Sequence, residues 1–136
     1  MLVVDASAVT ELLLGRPVAE QVSDHFVAHG LDLHAPHLID VEVLNALRRV
    51  VALEQASQSR AEEALADLLD LPIERYPHDV LVPRVWQLRD NFSAYDATYV
   101  ALADALADTP VSLLTADARL ARAARVHAGV PVLLAG

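Results

Sequence analysis

Short apolar runs alternate with longer segments rich in alanine and leucine, and this alternation restricts the fold more than any other feature. The runs are only a few residues long, as in Leu2–Val4. An apolar run of this length, bounded by turn residues, is typical of a buried strand. Strands that alternate with helices form a mostly parallel sheet covered by helices. The sequence therefore predicts an α/β fold.

The order of the elements follows from the same pattern, with proline, serine and glycine marking their ends. The predicted strands are Leu2–Val4, Asp32–Ala35, Ile73–Tyr76, Val111–Leu114 and Val130–Leu134. The predicted helices are Ala6–Leu14, one from Pro17 to His29, one opened by Pro36 and ending near Glu54, one capped by Ser57 or Ser59 and ending near Leu71, Val80–Asp90, one capped by Ser93 and ending near Asp108, and Asp117–His127.

Length and composition limit the remaining choices. The chain has 136 residues, which predicts a single domain over residues 1–136, and 54% of them are hydrophobic. No uncharged stretch is long enough to span a bilayer and the N-terminus has no signal-peptide pattern, so we expect no membrane association and a cytoplasmic protein.

The chain contains no cysteine, and its net charge is -9, with 10 basic residues that are all arginine. The absence of cysteine excludes disulfides, thiolate zinc sites, cysteine nucleophiles and iron–sulfur clusters. The acidic balance argues against nonspecific phosphate binding by the whole surface and favours a protein that binds cations or a basic partner.

Two acids follow predicted strands directly. Asp5 comes after Leu2–Val4, and Asp117 comes shortly after Val111–Leu114. In an open parallel sheet, ligands bind outside the carboxyl ends of the strands, so both acids are expected at one edge. Each could instead simply stabilise a helix N-terminus through the helix dipole.

Two further acids occupy helices. Glu42 lies at the margin of an apolar helix face, where a half-buried carboxylate needs a partner, and Arg49 is one candidate. Asp96 follows Ser93 by three residues, which resembles a capping box, but the same turn could reach the edge that carries Asp5.

Taken together, these carboxylates indicate a metal site. Three or four carboxylates at one place would repel one another unless a cation neutralises them. Oxygen ligands without cysteine or paired histidine favour Mg²⁺ or Mn²⁺. Such a cluster is suited to phosphodiester hydrolysis.

Four ordered motifs resemble those of the PIN domain, in the order and spacing of the VapC toxins of bacterial toxin–antitoxin pairs. The motifs are Leu2-Val-Val-Asp5-Ala-Ser7, Leu38-Ile-Asp-Val-Glu42-Val-Leu-Asn45, Ser93-Ala-Tyr-Asp96-Ala-Thr-Tyr-Val-Ala-Leu, and Leu114-Thr115-Ala-Asp117-Ala-Arg-Leu. The resemblance covers nearly the whole chain. It implies a PIN-like three-layer α/β/α sandwich with a mostly parallel sheet of about five strands.

The resemblance also implies an activity: a metal-dependent endoribonuclease, the toxin of a type II pair, that uses Mg²⁺ or, in its place, Mn²⁺. By position, the implied catalytic and metal-binding residues are Asp5, Glu42, Asp96 and Asp117, with Ser7, Asn45 and Thr115 as polar support. A homodimer and a VapB-like antitoxin, whose C-terminal segment covers the site, are implied as well. Two alternatives stay open: a DNA-directed or structure-specific PIN nuclease, and a catalytically silent PIN-like protein-interaction module.

Two groups of arginines are candidate contacts for RNA phosphates, close to the acids. They are Arg119, Arg122 and Arg125 on the last long helix, and Arg48 and Arg49 near Glu42. Either group could instead be a solvated helix face.

Overall fold

Five short strands form one fully parallel sheet in the computed structural model, which describes residues 1–136. In chain order they are β1 (Leu2–Val4), β2 (Leu33–Pro36), β3 (Ile73–Tyr76), β4 (Ser112–Thr115) and β5 (Val132–Leu134). Their order across the sheet is β3-β2-β1-β4-β5, so the N-terminal strand is central. The predicted parallel sheet of about five strands is confirmed.

Seven helices connect the strands and cover the sheet. They are α1 (Ala6–Leu13), α2 (Ala19–Ala28), α3 (Leu38–Ala52), α4 (Gln58–Asp70), α5 (Val82–Gln87), α6 (Ala94–Ala105) and α7 (Ala118–His127). Helix α6 packs on β1, β2 and β4, while α1 packs on α2, α3 and α4. The predicted three-layer α/β/α sandwich is confirmed.

The core explains the apolar runs. Leu2, Val3 and Val4 are completely buried because the central strand is covered by helices on both of its faces. In α6 every residue from 97 to 103 is buried, so this helix crosses the middle of the domain. Its first turn, which carries Asp96, emerges at the edge of the sheet where Asp5 lies.

The prediction that Pro36 opens a helix is wrong. Pro36 is the last residue of β2 and pairs with Tyr76 of β3, whereas the pairing of β2 with β1 ends at His34. Proline lacks a backbone N–H, and the sheet tolerates it here because no β1 partner is opposite. Helix α3 begins two residues later, where the His78 imidazole accepts a hydrogen bond of 2.9 Å from the N–H of Leu38.

Other element ends differ by a few residues. A 3₁₀ turn at Asp79–Leu81 precedes α5, which ends at Gln87 rather than near Asp90, and α6 ends at Ala105 rather than near Asp108. Pro83 in the first turn of α5 separates the two short helical pieces. None of the helices combines the length and apolarity needed to cross a bilayer.

Candidate active site

Asp5, the first predicted acid, lies at the end of β1 and caps α1. Its Oδ1 accepts hydrogen bonds of 2.6 Å from the Ser7 hydroxyl and 3.2 Å from the Ala8 N–H. Its Oδ2 accepts one of 2.8 Å from the Thr115 hydroxyl. Only 5% of Asp5 is exposed. Burial raises the pKa of Asp5 from its usual 3.8 to about 6, against these hydrogen bonds, and the charge of Asp96 adds to the rise.

The register of the sheet brings Thr115 to Asp5. Val4 pairs with Leu114, and the N–H of Asp5 donates to the carbonyl oxygen of Leu114 at 3.1 Å. The residues at the ends of β1 and β4 are therefore neighbours. Thr115 is completely buried, so its hydroxyl is fixed in place below the carboxylate.

The Ser7 hydroxyl ties the start of α1 to the loop after β4. Besides donating to Asp5, Ser7 Oγ accepts a hydrogen bond of 2.9 Å from the N–H of Ala116. It also lies 3.2 Å from the Thr115 hydroxyl. Two of the three residues expected to give polar support, Ser7 and Thr115, thus contact Asp5 directly.

Asp117 lies two residues beyond β4 and caps α7. Its Oδ1 accepts hydrogen bonds of 2.8 Å from the N–H of Arg119 and 3.3 Å from that of Leu120. Its own N–H donates to Thr115 Oγ1 at 2.9 Å. One threonine hydroxyl thereby connects Asp5 and Asp117, which the sequence expected at the same edge. Asp117 therefore both caps α7 and belongs to the acidic group.

Glu42 reaches the site from the middle of α3, and its partner is a tyrosine. The hydroxyl of Tyr99 on α6 donates to Glu42 Oε1 at 2.6 Å. Arg49 forms no ion pair with Glu42, so the interpretation that Arg49 neutralises this carboxylate is wrong. Partial burial raises the pKa of Glu42, the Tyr99 hydrogen bond opposes the rise, and the charge of Asp96 contributes to it.

Asp96 lies in the first turn of α6, where Ser93 Oγ accepts a hydrogen bond of 3.2 Å from the Asp96 N–H. The reciprocal bond of a capping box, which the backbone N–H of Ser93 would donate to the Asp96 carboxylate, is not formed, so the carboxylate of Asp96 stays available. Burial raises its pKa, the charge of Asp117 adds to the rise, and that of Arg119 opposes it.

Asp96 is the electrostatic link among the four acids. Its charge raises the pKa of both Asp5 and Glu42, and the charge of Asp117 raises its own. None of the four carboxylates forms an ion pair within 4.0 Å of a protein cation, a distance at which several other acids of the chain do. The site therefore concentrates negative charge that no ion pair of the chain neutralises, and only Arg119, at longer range, opposes the rise in the pKa of Asp96.

Several acids outside the site do have such partners. Asp40 forms a two-point ion pair with Arg75, at 2.7 and 2.9 Å. Asp104 binds Arg84 at 3.0 Å and also the N–H of Gly129. These two acids differ from Asp5 because their charge is balanced by an arginine and the ion pair holds two elements together.

The donor set of the site fits a hard divalent cation. All four side chains offer carboxylate oxygens, the ligands that Mg²⁺ and Mn²⁺ prefer. No three histidine, aspartate or glutamate side chains lie close enough together in this structure to enclose an ion by themselves. Mg²⁺ is commonly held by one or two carboxylates and keeps several waters, so a more open arrangement also fits.

Two recesses open beside the acids, and Asp117 lines both. The first, which we call the α1–α3 recess, has a volume of about 410 Å³ and is lined by residues that include Thr10, Arg16, Glu42, Asn45 and Arg49. The second, the α6–α7 recess, has a volume of about 600 Å³ and is lined by residues that include Asn91, Ser93, Asp96, Arg119 and Arg122. Each recess joins carboxylates to arginines.

The structure separates the candidate arginines. Arg119 and Arg122 line the α6–α7 recess and Arg49 lines the α1–α3 recess. Arg125 lines neither. Arg48 instead donates to the side-chain oxygen of Asn45 at 3.2 and 3.3 Å and faces a groove between α3 and α4.

Asn45, the third residue expected to give polar support, lines the α1–α3 recess but hydrogen-bonds none of the four acids. Sequence reasoning did not name Thr10 and Arg16, and it considered Tyr99 only as a core, dimer or base-stacking residue and not as the partner of Glu42. For Tyr99 a signal was available, because a tyrosine within the apolar run of a buried helix must find a hydrogen-bond partner.

Comparison with known proteins decides the family. The model of the PIN domain matches residues 2–126. The chain belongs to the PIN-domain family. A PIN-domain relative called Ribonuclease VapC1, of Mycobacterium tuberculosis, is 47% identical over 122 residues, which is 89% of each chain. Ribonuclease VapC9 of the same organism is 38% identical over 133 residues, or 98% of each chain. This PIN domain therefore belongs to the VapC group.

A solved structure shares the fold of this PIN domain. The crystal structure of PAE2754 from Pyrobaculum aerophilum superposes with a TM-score of 0.71 and covers 96% of this chain and 81% of that one. The two sequences are 23% identical, so the match is evidence about the fold alone. The resemblance to VapC PIN domains drawn from the four motifs is confirmed.

Proposed function

We propose that this VapC-type PIN domain is a Mg²⁺-dependent endoribonuclease, with Mn²⁺ as a substitute ion, and the toxin of a type II toxin–antitoxin pair acting in the cytoplasm. The observation that carries the proposal is the buried carboxylate of Asp5, held by two hydroxyls beside three further carboxylates that no protein cation neutralises. The names of the relatives, which are ribonucleases, support the reaction and its substrate.

The four acids, Asp5, Glu42, Asp96 and Asp117, would hold the metal. Bound Mg²⁺ supplies two things to phosphodiester hydrolysis: activation of a water and neutralisation of charge on the phosphate oxygens. The protein prepares the site. The two hydroxyls bonded to Asp5 restrict its carboxylate to one orientation, and Tyr99 does the same for Glu42.

The RNA strand would approach through the α6–α7 recess. Arg119 and Arg122 are exposed there, next to Asp96 and Asp117. Guanidinium groups bind phosphate oxygens well, so they would hold the RNA backbone close to the acids. A local basic surface is needed because the chain as a whole has a net charge of -9 and repels RNA at long range.

Two protein partners belong to the proposal. The first is a VapB-like antitoxin whose C-terminal segment covers the site. The second is another copy of this chain, because a groove of about 380 Å³ between α5 and α6 exposes 58% of Val82, 66% of Trp86 and 61% of Tyr95. Exposed aromatic groups in one patch are typical of a protein interface. Light scattering should give a dimer for the wild type and a monomer for Trp86→Glu.

Cleavage of labelled RNA and matched single-stranded DNA tests the reaction, with Mg²⁺, Mn²⁺ or EDTA. We expect RNA to be cut with either ion and not with EDTA, and Asp5→Asn to abolish cutting. Asp67→Asn, an equivalent change on the exposed face of α4, should cut like the wild type. Equal cutting of DNA would favour the broader PIN nuclease. No cutting together with no calorimetric binding of Mg²⁺ or Mn²⁺ would favour the silent interaction module.

A further inference from the structure

Four arginines have side chains that make no hydrogen bond and no ion pair in the protein. They are Arg49, Arg119, Arg122 and Arg125, whereas Arg16, Arg60, Arg75 and Arg84 bind carboxylates. In a chain with a net charge of -9, acidic partners are abundant, so an unpaired guanidinium group next to carboxylates stands out. Three of the four line the recesses beside the acids, and these recesses meet at Asp117.

Two arginines, Arg16 and Arg49, line the α1–α3 recess and could bind an anion there. Arg49 is free there, and Arg16 is held only by a long contact of 3.5 Å with Glu11. Glu42, two turns before Arg49 on the same face of α3, and Asp117 line the recess as well and belong to the acidic group. A phosphate placed at the arginines would therefore be adjacent to one placed at the acids.

Thr10 provides an independent observation in the same recess. It is 6% exposed, and its hydroxyl oxygen is the one buried side-chain polar atom of the protein without a hydrogen-bond partner. A buried hydroxyl left unpaired costs free energy, which is recovered if rotation of the Thr10 side chain turns the hydroxyl into the recess, where a ligand or a bound water supplies the missing partner. Thr10 lines the recess together with Arg16 and Arg49.

We propose that the α1–α3 recess binds a backbone phosphate of the RNA next to the one that is cleaved, with Arg49 as the main contact and Arg16 and Thr10 as further contacts. The inference rests on the proposed ribonuclease activity and extends it: the RNA strand crosses the acids, held by Arg119 and Arg122 on one side and by Arg49 on the other. Arg49 is thus a positioning residue for the substrate and does not touch the bond that breaks.

Binding of RNA, measured apart from cleavage, tests the assignment first. The probe is a labelled single-stranded RNA that the wild type cleaves, or a mixed-sequence single strand if it cleaves none. Binding is measured by fluorescence anisotropy with Ca²⁺ in place of Mg²⁺. A gel run afterwards checks that the RNA is intact. Arg49→Ala should weaken binding by about tenfold. The slope of the logarithm of the association constant against the logarithm of the salt concentration should become less negative by about 0.7, the value for one phosphate contact on a single strand. Arg60→Ala removes an arginine that lines neither recess and that bonds Glu63 and the Leu13 carbonyl oxygen instead, and it should bind like the wild type.

Kinetics with a modified substrate then locate the contact. Arg49→Ala should raise KM and leave kcat within about twofold, since uniform binding is lost. Replacing a phosphate beside the mapped cleavage site with an uncharged methylphosphonate should weaken wild-type binding on one side of that site. The same replacement should have no further effect on Arg49→Ala, because the two changes remove a single interaction.

Thr10→Val keeps the shape of the side chain and removes the unpaired hydroxyl. We expect it to raise KM while the melting temperature stays the same or increases, an outcome that a purely structural role would not produce. If Arg49→Ala binds RNA with wild-type affinity and salt dependence, the inference is overturned even where metal-dependent cleavage is intact. If the wild type cleaves no RNA but Arg49→Ala still lowers the salt slope, the recess is an RNA site and the proposed activity is what fails.

Discussion

The hydroxyl of Tyr99 donates a hydrogen bond of 2.6 Å to Oε1 of Glu42, across 57 positions of the chain. Tyr99 is 1% exposed, on the helix that crosses the middle of the domain, whereas Glu42 comes from a different helix, α3. Burial raises the pKa of Tyr99, and the neighbouring Glu42 charge raises it further, so the phenol keeps its proton and can only donate to the carboxylate. A buried core residue thus determines where a candidate metal ligand lies.

Replacing Tyr99 by phenylalanine keeps the ring and removes this hydrogen bond. The pKa of Glu42 should rise, because the Tyr99 hydroxyl stabilises its charged form. Loss of such a supporting contact typically lowers metal affinity or activity by about 10–100-fold. Cleavage rates against pH should show the acidic limb moved to higher pH in Tyr99→Phe. Tyr95→Phe, a change at an exposed tyrosine, is the matched control and should leave the profile unchanged.

The pKa of Asp5 leads to a prediction about stability. Its folded pKa of about 6 lies above the usual 3.8, so the folded protein gains protons relative to the unfolded chain in this range. The stability that protonation provides is fully present below pH 3.8 and is lost as the pH rises through about 6. At pH 7 without metal, the ionised carboxylate costs about 3 kcal/mol, from the size of the shift.

Asp5→Asn should therefore melt at a higher temperature than the wild type at pH 7 in EDTA, although it loses catalytic activity. The difference should disappear near pH 4, where the wild-type carboxyl group is protonated. Mg²⁺ should raise the melting temperature of the wild type more than that of Asp5→Asn, since the variant lacks one of the four carboxylates that favour the ion. A variant that melts below the wild type at pH 7 in EDTA would contradict the prediction.

Competition between protons and metal for Asp5 gives a pH dependence of the rate. Cleavage should fall as the pH drops through about 6, because protonated Asp5 cannot serve as an anionic ligand. A nearby cation favours the charged carboxylate, so the midpoint of the fall should move to lower pH as the Mg²⁺ concentration increases. Rate profiles at a low and a saturating Mg²⁺ concentration measure this shift. A midpoint independent of Mg²⁺ would show that Asp5 does not share its proton equilibrium with the ion.

Thr115→Val removes the hydroxyl that donates to Asp5 and accepts from the Asp117 N–H. The Asp117 N–H loses its partner and the Asp5 carboxylate loses a donor, so the folded state should lose about 1–3 kcal/mol. The pKa of Asp5 should rise, because the Thr115 hydrogen bond lowers it in the wild type. Denaturant unfolding and the pH profile of cleavage measure the two effects. Thr115→Ser retains the hydroxyl, so its stability and its pH profile should be close to those of the wild type.

Much of the architecture followed from the sequence because the central strands β1 and β4 are short runs of mostly buried, mostly apolar residues next to a turn. Leu2–Val4 and Ile73–Tyr76 were predicted with their observed ends. Pro36 was misassigned because the tolerance of a proline in β2 depends on how far β1 extends beside it, which is a property of the sheet. The bounds of the short helix α5 were predicted inaccurately for a local reason, since Pro83 is compatible both with the start of a helix and with a break in one.

Among the site residues, the four acids and two hydroxyls could be named in advance because the carboxyl ends of parallel strands meet at one edge and the motifs have a characteristic order. The partner of Glu42 could not, since Arg49 is close in sequence and charge whereas Tyr99 is brought near only by the packing of α6 against the sheet. The candidate arginines were equally indistinct in sequence. Their separation into Arg49, Arg119 and Arg122 beside the acids, and Arg48 and Arg125 away from them, depends on the directions of helix faces.

The sequence by itself determined which elements form, their order, and the kind of chemistry that oxygen-only acidic side chains can support, because these depend on local hydrophobic pattern and residue type. Only the tertiary structure decided which acids are neutralised and which are not. Asp40 and Asp104 meet arginines, whereas Asp5 meets hydroxyls and other carboxylates. Neutralisation requires two charges within a few ångströms, and sheet register and helix packing set such distances between residues far apart in the chain.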